Sequence, residues 1–383
     1  MTGPARKLLD YWLEVVCLAA LLVIIPPGWI SAWTWQSGIR WLYVAMVAFL
    51  SVTALMPLVI WAAPALGAMD RPDARKIHQT PIPRLGGLAV FTAMAFAVWR
   101  SQMFSKELAI IMMTGSVIFV MGLIDDIRGL SATTRLCGQM LASLIIALGG
   151  MRFATHIPLG QIWSYAVTII WLVGITNAFN FLDGIDGLAG ALGIIGALFF
   201  MAIAWDTRQL ELAFMSAALL GACAGFLQSN WHPAEVFLGD GGSTFIGFML
   251  AAMAVYGGWA TKNPVVAIST PILILGIPIF DMIYITLSRV RRGDVRTLKE
   301  WIDYVGQDHL HHRLLHLGLG TQQTVFFICT INTILGLAAW SMHYTKSTLS
   351  SVLLVAQSGL IFLVIVFLML LGRDVKGGAS ARP

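Results

Sequence analysis

Long, uninterrupted apolar runs dominate the chain and predict its architecture. They lack the apolar–polar alternation of a strand with one solvated face, and each is close to the ~20 residues that a helix needs to cross a bilayer. Because only helices and closed barrels satisfy their backbone hydrogen bonds in hydrocarbon, we expect transmembrane helices. The predicted spans are residues 11–28, 40–66, 85–104, 107–124, 135–150, 162–179, 188–204, 210–228, 244–260, 265–288, 322–343 and 348–371.

The first of these spans follows Arg6 and Lys7, a layout that secretory signal peptides share. Pro26, Pro27 and Gly28 come after it, in place of the small-residue site at which a signal peptide is cleaved. We therefore expect an uncleaved first span and twelve spans in all, with eleven as the alternative.

The composition is that of a membrane protein and excludes an ordinary soluble one. Hydrophobic residues make up 58% of the 383 residues and charged residues 11%, whereas soluble proteins carry about 25% charged residues. The four cysteines are scattered without a Cys-x-x-Cys pair, which predicts neither disulfides nor a cysteine metal site. The expected fold is all-α, a polytopic membrane helix bundle of about 11–12 transmembrane helices. We expect one domain over residues 1–372 and a disordered polar tail at 373–383.

The positions of the basic residues predict how the chain crosses the bilayer. The net charge is +5, and with a cytoplasmic N-terminus most of the 24 Lys and Arg residues fall on the cytoplasmic side, as the positive-inside rule expects. No basic patch interleaved with aromatic residues lies outside the spans, so we expect a lipid bilayer and no nucleic acid as partner. Both termini are then cytoplasmic. The same side holds the polar loops 67–84, 125–134, 180–187, 229–243 and 289–321.

Two adjacent carboxylates, Asp125 and Asp126, close the fourth predicted span. Ionisable groups at the end of an apolar helix are costly unless they serve a function or reach solvent. The functional interpretation is a metal site or a base that acts on a phosphate, and a solvated helix end is the alternative.

A second polar segment, residues 177–188 (NAFNFLDGIDGL), closes the sixth span. Asn177 and Asn180 are three residues apart and so share a helix face. Asp183 and Asp186 follow, each before a glycine that lets the backbone approach a ligand. A plain connector between two helices would explain the glycines but not the two asparagines.

A third polar segment, residues 239–244 (GDGGST), opens the ninth span. It places a carboxylate, flexible backbone and two hydroxyls at a helix N-terminus, where backbone N–H groups suit a phosphate. The alternative is a simple helix cap by Asp240 or Ser243.

The loop 289–321 carries a histidine cluster at residues 308–313 (DHLHHR). Three histidines within four residues are compatible with zinc, with proton transfer or, together with Arg313, with anion binding. The carboxylates elsewhere favour an oxygen-preferring ion such as Mg²⁺, and zinc is the alternative.

Just before this cluster, an apolar stripe at helical spacing over 297–305 predicts an interfacial amphipathic helix.

A fifth polar segment, residues 75–87 (RKIHQTPIPRLGG), precedes the third span. Positive-inside anchoring would explain its charges but not the Pro-x-Pro-Arg-x-Gly-Gly run. All five segments fall on the cytoplasmic side, at helix ends. This layout suits an enzyme with one water-soluble and one lipid substrate, whereas a transporter relay would place its ionisable residues near the bilayer midplane.

These segments, in this order, resemble the bacterial and eukaryotic polyprenyl-phosphate N-acetylhexosamine-1-phosphate transferases. The matching stretches are Lys76-Ile77-His78, Pro83-Arg84-Leu85-Gly86-Gly87, Asp125-Asp126, the 177–188 segment, Gly239-Asp240-Gly241-Gly242-Ser243 and His309-Leu310-His311-His312. The Pro-Arg-x-Gly-Gly and His-x-His-His forms resemble the branch that uses UDP-N-acetylglucosamine (UDP-GlcNAc) more than the muramoyl-pentapeptide branch.

The resemblance implies an enzyme of the bacterial cytoplasmic (inner) membrane whose active site faces the cytoplasm. It implies transfer of N-acetylhexosamine 1-phosphate, in this branch GlcNAc 1-phosphate, from a UDP-sugar to undecaprenyl phosphate. UMP is released, and the lipid-linked sugar starts a cell-envelope polysaccharide. Mg²⁺ or Mn²⁺ is the expected cofactor, and a second copy of the chain is a candidate partner. The alternative function is a secondary transporter or exporter of lipid-linked sugars.

The resemblance also assigns roles to single residues of this chain. Asp126, Asp240 and Asp183 are the expected metal ligands, and Asp125 is the expected base. An alternative route makes a carboxylate the nucleophile and passes through a phospho-enzyme. The expected substrate-binding residues are Lys76, His78, Asn177, Asn180, Asp186, His309, His311, His312 and Arg313.

Overall fold

The computed structural model describes most of the chain and shows a bundle of helices. The described residues are 33–70, 81–153, 160–260, 263–297, 300–301, 304, 306, 308–345 and 347–379, with side chains as far as Leu370. Helices account for 80% of the structure, and a single two-stranded ribbon is present among the described residues. The all-α membrane fold predicted from the sequence is confirmed.

The helices of the described residues are named α1 to α13 in chain order. They are α1 Arg40–Leu66, α2 Gly86–Ser101, α3 Lys106–Arg128, α4 Ala132–Leu148, α5 Gln161–Leu182, α6 Leu188–Asp206, α7 Leu210–Asn230, α8 Gly239–Tyr256, α9 Pro264–Ile274, α10 Gly276–Arg292, α11 Leu310–His316, α12 Thr321–Tyr344 and α13 Thr348–Ala379. Between α1 and α2, strands β1 (Met69–Asp70) and β2 (Ile82–Pro83) pair antiparallel.

Seven of these helices are long and apolar enough to cross a membrane: α1, α3, α5, α6, α7, α12 and the Thr348–Leu370 part of α13. The bent pair α9–α10 makes an eighth if it counts as one span, and α2 and α4 are shorter apolar helices. The protein therefore spans the membrane several times. The predicted span 40–66 has the bounds of α1, and the predicted span 11–28 lies outside the described residues.

The predicted span 265–288 is not a continuous helix, because α9 and α10 meet at an angle of 80°. Pro278 has no N–H to offer to the carbonyl of Ile274, one helical turn earlier. The side chain of Asn332 on α12 replaces the lost partner: its Nδ2 donates to the Ile274 carbonyl at 3.2 Å, and its Oδ1 accepts from the Ile277 N–H at 3.4 Å. Apolarity alone does not reveal this break.

Two helix ends also differ from the sequence-based bounds. The predicted span 244–260 begins earlier, because α8 starts at Gly239 and takes Asp240 into its first turn. At the C-terminus, α13 continues to Ala379, so helix occupies part of the 373–383 segment for which the sequence predicts disorder. Extending an existing helix adds one hydrogen bond for each residue fixed and needs no new nucleus.

Helix α8 lies at the centre of the bundle and positions its neighbours. It is buried along nearly its whole length and packs on α2, α3 and α5. Glycines let these backbones touch: a Cβ added at Gly87 would lie 2.4 Å from the Cα of Gly242, and one added at Gly122 would lie 2.5 Å from the Cα of Gly241. The start of α2 and the end of α3 are thereby held against the start of α8.

We expect Gly87→Ala to destabilise the protein, because the added methyl group meets backbone atoms that cannot move aside. Overpacking of this kind costs about 1–3 kcal/mol in unfolding free energy. Gly174→Ala on α5 is the matched control, since nothing lies within 4 Å of its added Cβ. Thermal unfolding in detergent, followed by tryptophan fluorescence, should show a lower midpoint for Gly87→Ala alone. Equal midpoints for the two variants would contradict this packing.

Candidate active site

The candidate active site lies where several helix ends meet the segment that precedes α8. The Phe237 N–H donates to the Pro83 carbonyl at 2.7 Å, and the N–H groups of Gly86 and Gly87 donate to the carbonyls of Phe237 and Leu238, each at 2.9 Å. These bonds attach the Pro-x-Pro-Arg-x-Gly-Gly segment to the start of α8. The 75–87 segment is thus bonded to the two residues that directly precede the 239–244 segment.

The side chain of Asp126 caps α8 from a different helix. Its Oδ1 accepts the Asp240 N–H and its Oδ2 accepts the Gly241 N–H, both at 2.9 Å. The first N–H groups of a helix have no partner within the helix, and a negative charge is favourable there. Gly239 precedes them with φ +76°, and an added Cβ would lie 2.4 Å from the Arg84 carbonyl oxygen and 2.6 Å from Asp126 Oδ2. Only glycine fits this position.

Two further carboxylates stand beside Asp126. Asn180, at the end of α5, donates from Nδ2 to Asp240 Oδ1 at 2.8 Å and to the Ser243 hydroxyl at 2.9 Å. Asp183 follows directly after α5; burial, and then the charges of Asp240 and Asp126, raise its pKa well above its usual value. Hydrogen bonds therefore join Asp126, Asp240 and Asn180, and Asp183 is near enough for the charges of the two other aspartates to affect its pKa.

Arg84 is the cation that faces this group of carboxylates. Its guanidinium lies 3.5 Å from Asp126 and 3.9 Å from Asp240, and on its other side it lies 3.6 Å from Asp70 on β1. Burial lowers the pKa of Arg84, but these carboxylates outweigh that effect and leave the pKa raised. Three acidic groups thus share one arginine.

The chemistry of the donors fits a divalent cation. Within the described residues, no three His, Cys, Asp or Glu side chains form a ready-made metal cluster. Even so, Asp126, Asp183 and Asp240 supply the carboxylate oxygens that Mg²⁺ prefers. Burial, and then the charges of Asp240 and Asp126, raise the pKa of Asp183, and a bound cation would favour its ionised form instead.

Asp125 points away from this group, although it is adjacent to Asp126 in sequence. Its Oδ2 accepts from Arg135 at 2.8 Å, and its Oδ1 accepts the Leu130 N–H at 2.5 Å. Both bonds fix the turn between α3 and α4. The assignment of Asp125 as base stays a prediction, and in this structure its carboxylate is engaged elsewhere.

Asn177 and Asp186 are also engaged in local structure. Asn177 Nδ2 donates to Gln139 Oε1 on α4 at 2.6 Å. Asp186 Oδ2 pairs with His232 Nδ1 at 2.7 Å and accepts the Ala234 N–H at 3.1 Å. Asp186 therefore joins the loop after α5 to the loop before α8, and its predicted contact with substrate stays a prediction.

The histidine segment reaches the carboxylate segment through His311. His309 Nδ1 pairs with Asp281 Oδ2 at 2.7 Å, and the Leu310 N–H donates to Asp281 Oδ1 at 2.8 Å. A Cβ added at Gly184 would lie 2.4 Å from His311 Nε2, so the glycine after Asp183 is in contact with the imidazole. His311 is fully buried, and neither ring nitrogen has a hydrogen-bond partner among the described residues.

The two middle histidines are held neutral. Burial, followed by the charges of His312 and His309, lowers the pKa of His311 well below its usual value. Burial, and then His309 and His316, lower the pKa of His312 to about 4. At neutral pH each of these rings offers one donor and one acceptor nitrogen.

Arginines anchor the rest of the histidine segment. Arg313 donates to the carbonyls of Asp308 and Met369, each at 2.8 Å, which ties α11 to α13. Arg289 donates to Asp308 at 2.6 Å and Arg292 does so at 2.9 Å. Burial raises the pKa of Asp308, but the bonds from Arg289 and Arg292 outweigh it and leave the pKa low. Arg313 therefore has a structural role here, and anion binding by it stays a prediction.

Several predicted features lie wholly or partly outside the described residues. Lys76 and His78 do so, as do most apolar positions of the predicted 297–305 helix. The described part of that segment shows Trp301 Nε1 donating to the Thr286 hydroxyl at 3.1 Å and Arg289 over the Tyr304 ring at 4.3 Å.

Sequence reasoning gave no site role to four residues that organise the site: Arg84, Gln139, His232 and Asp281. Asp281 had a detectable signal, because it is an ionisable residue inside the predicted span 265–288. The partners of Gln139 and His232 lie 38 and 46 residues away, and no local pattern reveals such a pairing.

Comparisons with known proteins find relatives that match most of the chain. The glycosyl transferase family 4 profile matches residues 108–258, which contain all three carboxylates of the group. A probable undecaprenyl-phosphate N-acetylglucosaminyl 1-phosphate transferase of Bacillus subtilis is 31% identical over 344 residues, covering 88% of this chain and 92% of the relative. A decaprenyl-phosphate N-acetylglucosaminephosphotransferase of Mycobacterium tuberculosis is 34% identical over 302 residues, covering 70% and 73%.

A relative from the muramoyl-pentapeptide branch matches less of the chain. The phospho-N-acetylmuramoyl-pentapeptide-transferase of Halalkalibacterium halodurans is 32% identical over 236 residues, covering 55% of this chain and 73% of the relative. Together with the membrane fold and the gathered motifs, these similarities confirm the family resemblance. The chain belongs to the polyprenyl-phosphate N-acetylhexosamine-1-phosphate transferases, a family of membrane enzymes.

Proposed function

We propose that this enzyme transfers GlcNAc 1-phosphate from UDP-GlcNAc to a polyprenyl phosphate such as undecaprenyl phosphate, and releases UMP. One observation carries the proposal: Asp126, from the end of α3, and Asp240, from the start of α8, meet at the N-terminus of α8. Asp183 follows α5, and its neighbour Gly184 contacts His311 of the histidine segment. The names of the Bacillus and Mycobacterium relatives support GlcNAc as the sugar and a polyprenyl phosphate as the acceptor.

The reaction is an exchange of phosphoric anhydride bonds. An oxygen of the lipid phosphate attacks the β-phosphorus of the UDP-sugar, and the bond from that phosphorus to the bridging oxygen breaks. The bridging oxygen leaves with the α-phosphate as UMP, and the sugar becomes linked to the lipid through a diphosphate. A phosphate monoester has a second pKa near 6, so the attacking group is largely dianionic at neutral pH. The lipid phosphate therefore needs little help from a base such as Asp125.

Asp126, Asp183 and Asp240 would hold Mg²⁺ or Mn²⁺. Bound there, the ion supplies charge neutralisation for the diphosphate and the leaving UMP. The chain's own contribution is to position these carboxylates: Asp126 through the N–H groups of Asp240 and Gly241, and Asp240 through Asn180. Positioning of this kind matters because phosphoryl transfer depends mainly on alignment and electrostatics.

The histidine segment is our candidate for recognition of the sugar nucleotide. His311 has two unsatisfied ring nitrogens beside Gly184, within the segment that carries Asp183. A neutral ring offers one donor and one acceptor, which suits hydroxyl, acetamide or uracil groups better than a diphosphate. His309, fixed by Asp281, orients the start of the segment.

We place the enzyme in the bacterial inner membrane with its site facing the cytoplasm. The excess of Lys and Arg on the side of the motifs supports this orientation, and the relatives reported above are bacterial. The product would then start a cell-envelope polysaccharide on the inner leaflet. The comparisons give no support to the transporter alternative, since these relatives are transferases.

A transfer assay tests the proposed function directly. Purified enzyme in detergent, given undecaprenyl phosphate and radiolabelled UDP-GlcNAc with Mg²⁺, should form a labelled lipid and an equal amount of UMP. EDTA should stop the reaction and added Mg²⁺ should restore it. UDP-N-acetylgalactosamine and UDP-N-acetylmuramoyl-pentapeptide are the competing donors. Faster use of either competitor than of UDP-GlcNAc, or label transfer without UMP, would contradict the proposal.

We expect Asp126→Asn and Asp240→Asn each to lower the transfer rate by about three orders of magnitude or more, because each removes a metal carboxylate. The matched control is Asp206→Asn at the end of α6, where the carboxylate accepts from Trp340 and Tyr344. This control should turn over at close to the wild-type rate. If a folded Asp126→Asn or Asp240→Asn protein keeps near-normal turnover, that carboxylate does not belong to the site.

Topology is tested with a reporter that is active only in the periplasm. Fused after Pro383, it should stay inactive, because the charge distribution places the C-terminus in the cytoplasm. Inserted after Gly150, in the short connection that follows α4, it should be active. High activity of the C-terminal fusion would overturn the orientation.

A further inference from the structure

Among the described residues, Arg84 approaches its carboxylates less closely than Arg135 and Arg289 approach theirs. Its guanidinium nitrogens lie 3.5, 3.6 and 3.9 Å from oxygens of Asp126, Asp70 and Asp240. Arg135 and Arg289, in contrast, approach their partners to 2.8 and 2.6 Å. A charged hydrogen bond has a length of about 2.7–2.9 Å. Arg84 thus lies near three carboxylates without forming a short charged hydrogen bond to any of them.

The backbone of Arg84 is fixed, whereas its side chain has room to turn. The Arg84 N–H donates to the Ala68 carbonyl at 2.9 Å, and its own carbonyl oxygen packs against Gly239. The side chain is 33% exposed, while that of Asp126 beside it is 2% exposed. A partly exposed side chain therefore extends from a fixed backbone.

The carboxylates that attract Arg84 are those that would hold the divalent ion. Before the ion binds, the guanidinium, 3.5 Å from Asp126 and 3.9 Å from Asp240, offsets part of the repulsion between these two carboxylates. Once the ion is bound, two cations share the same carboxylates, and like charges about 4–5 Å apart repel appreciably even when partly solvated. Arg84 and the ion therefore compete.

We propose that Arg84 is a counter-ion that the divalent metal displaces, and that its guanidinium then binds the diphosphate of the sugar nucleotide. This inference rests on the proposed function for the identity of that ligand. A guanidinium presents a planar fork of donors that matches phosphate oxygens, and the diphosphate supplies the charge that the occupied carboxylates no longer offer. Asp70 stays beside the arginine and limits how far it turns.

A purely structural ion pair predicts a different outcome for the same variants. If Arg84 only held the carboxylates in place, its loss would loosen the site and weaken both metal binding and substrate use. Displacement predicts changes in opposite directions: tighter metal binding, because a competing cation is gone, and poorer use of the UDP-sugar, because a phosphate contact is gone.

The test measures Mn²⁺ affinity without substrates, by the electron paramagnetic resonance signal of free Mn²⁺, and then the KM for UDP-GlcNAc in the transfer assay. For Arg84→Gln, which keeps bulk and hydrogen-bonding groups but loses the charge, we expect Mn²⁺ to bind about five- to tenfold more tightly. The KM for UDP-GlcNAc should rise about tenfold or more. Arg84→Lys, which keeps the charge but not the fork, should keep near wild-type Mn²⁺ affinity and show a raised KM.

Arg128→Gln is the matched control, because it removes a positive charge from an exposed position at the end of α3, the helix that carries Asp126. Its Mn²⁺ affinity should stay within about twofold of wild type. Weaker or unchanged Mn²⁺ binding by Arg84→Gln would overturn the inference. Because Mn²⁺ affinity needs no substrate, failure of wild-type enzyme to use UDP-GlcNAc would instead contradict the proposed function.

Discussion

The carboxylate of Asp126 at the N-terminus of α8 is the interaction on which the rest of the site depends. It satisfies two N–H groups that have no partner within their own helix, and it joins the end of α3 to the start of α8. The bonded N–H of Asp240 belongs to the residue whose side chain supplies the neighbouring carboxylate. One contact therefore fixes both acidic groups, and Asn180 adds the end of α5 to the same cluster.

This contact exists because glycines allow the helices to approach so closely. Gly87 and Gly122 place the backbones of α2 and α3 directly on α8, and Gly239 fits between Asp126 and the carbonyl of Arg84. The result concentrates negative charge at helix ends, where burial would be costly without a cation. Arg84 offsets part of that charge, and a divalent ion and a diphosphate would complete the balance. Fold stability and substrate chemistry are in this way linked at the same few residues.

Much of this arrangement can be predicted from the sequence, because the length of an apolar run and the excess of Lys and Arg in a loop are local properties of the chain. The sequence placed the polar segments of Asp126, Asn180 and Asp240 on one side of the membrane, and hydrogen bonds join these three residues in the structure. The sequence could not show that Asp125 and Asp126 bond to different parts of the structure. Successive side chains on a helix differ by about 100° in direction, and the partners of Asp126 lie more than a hundred residues away in sequence. Pro278 is a local signal for the break after α9, but the sequence could not show that Asn332 from a later helix bonds the freed backbone groups. Contacts between residues far apart in sequence leave no periodic trace.

An anomalous difference map from crystals of the enzyme grown with Mn²⁺ would locate the divalent ion. We expect a peak within about 2–2.5 Å of carboxylate oxygens of Asp126, Asp183 or Asp240, with the guanidinium of Arg84 turned away from it. A peak coordinated only by the histidines of the 308–313 segment would contradict a carboxylate metal site. So would an empty carboxylate group at an Mn²⁺ concentration that supports full activity.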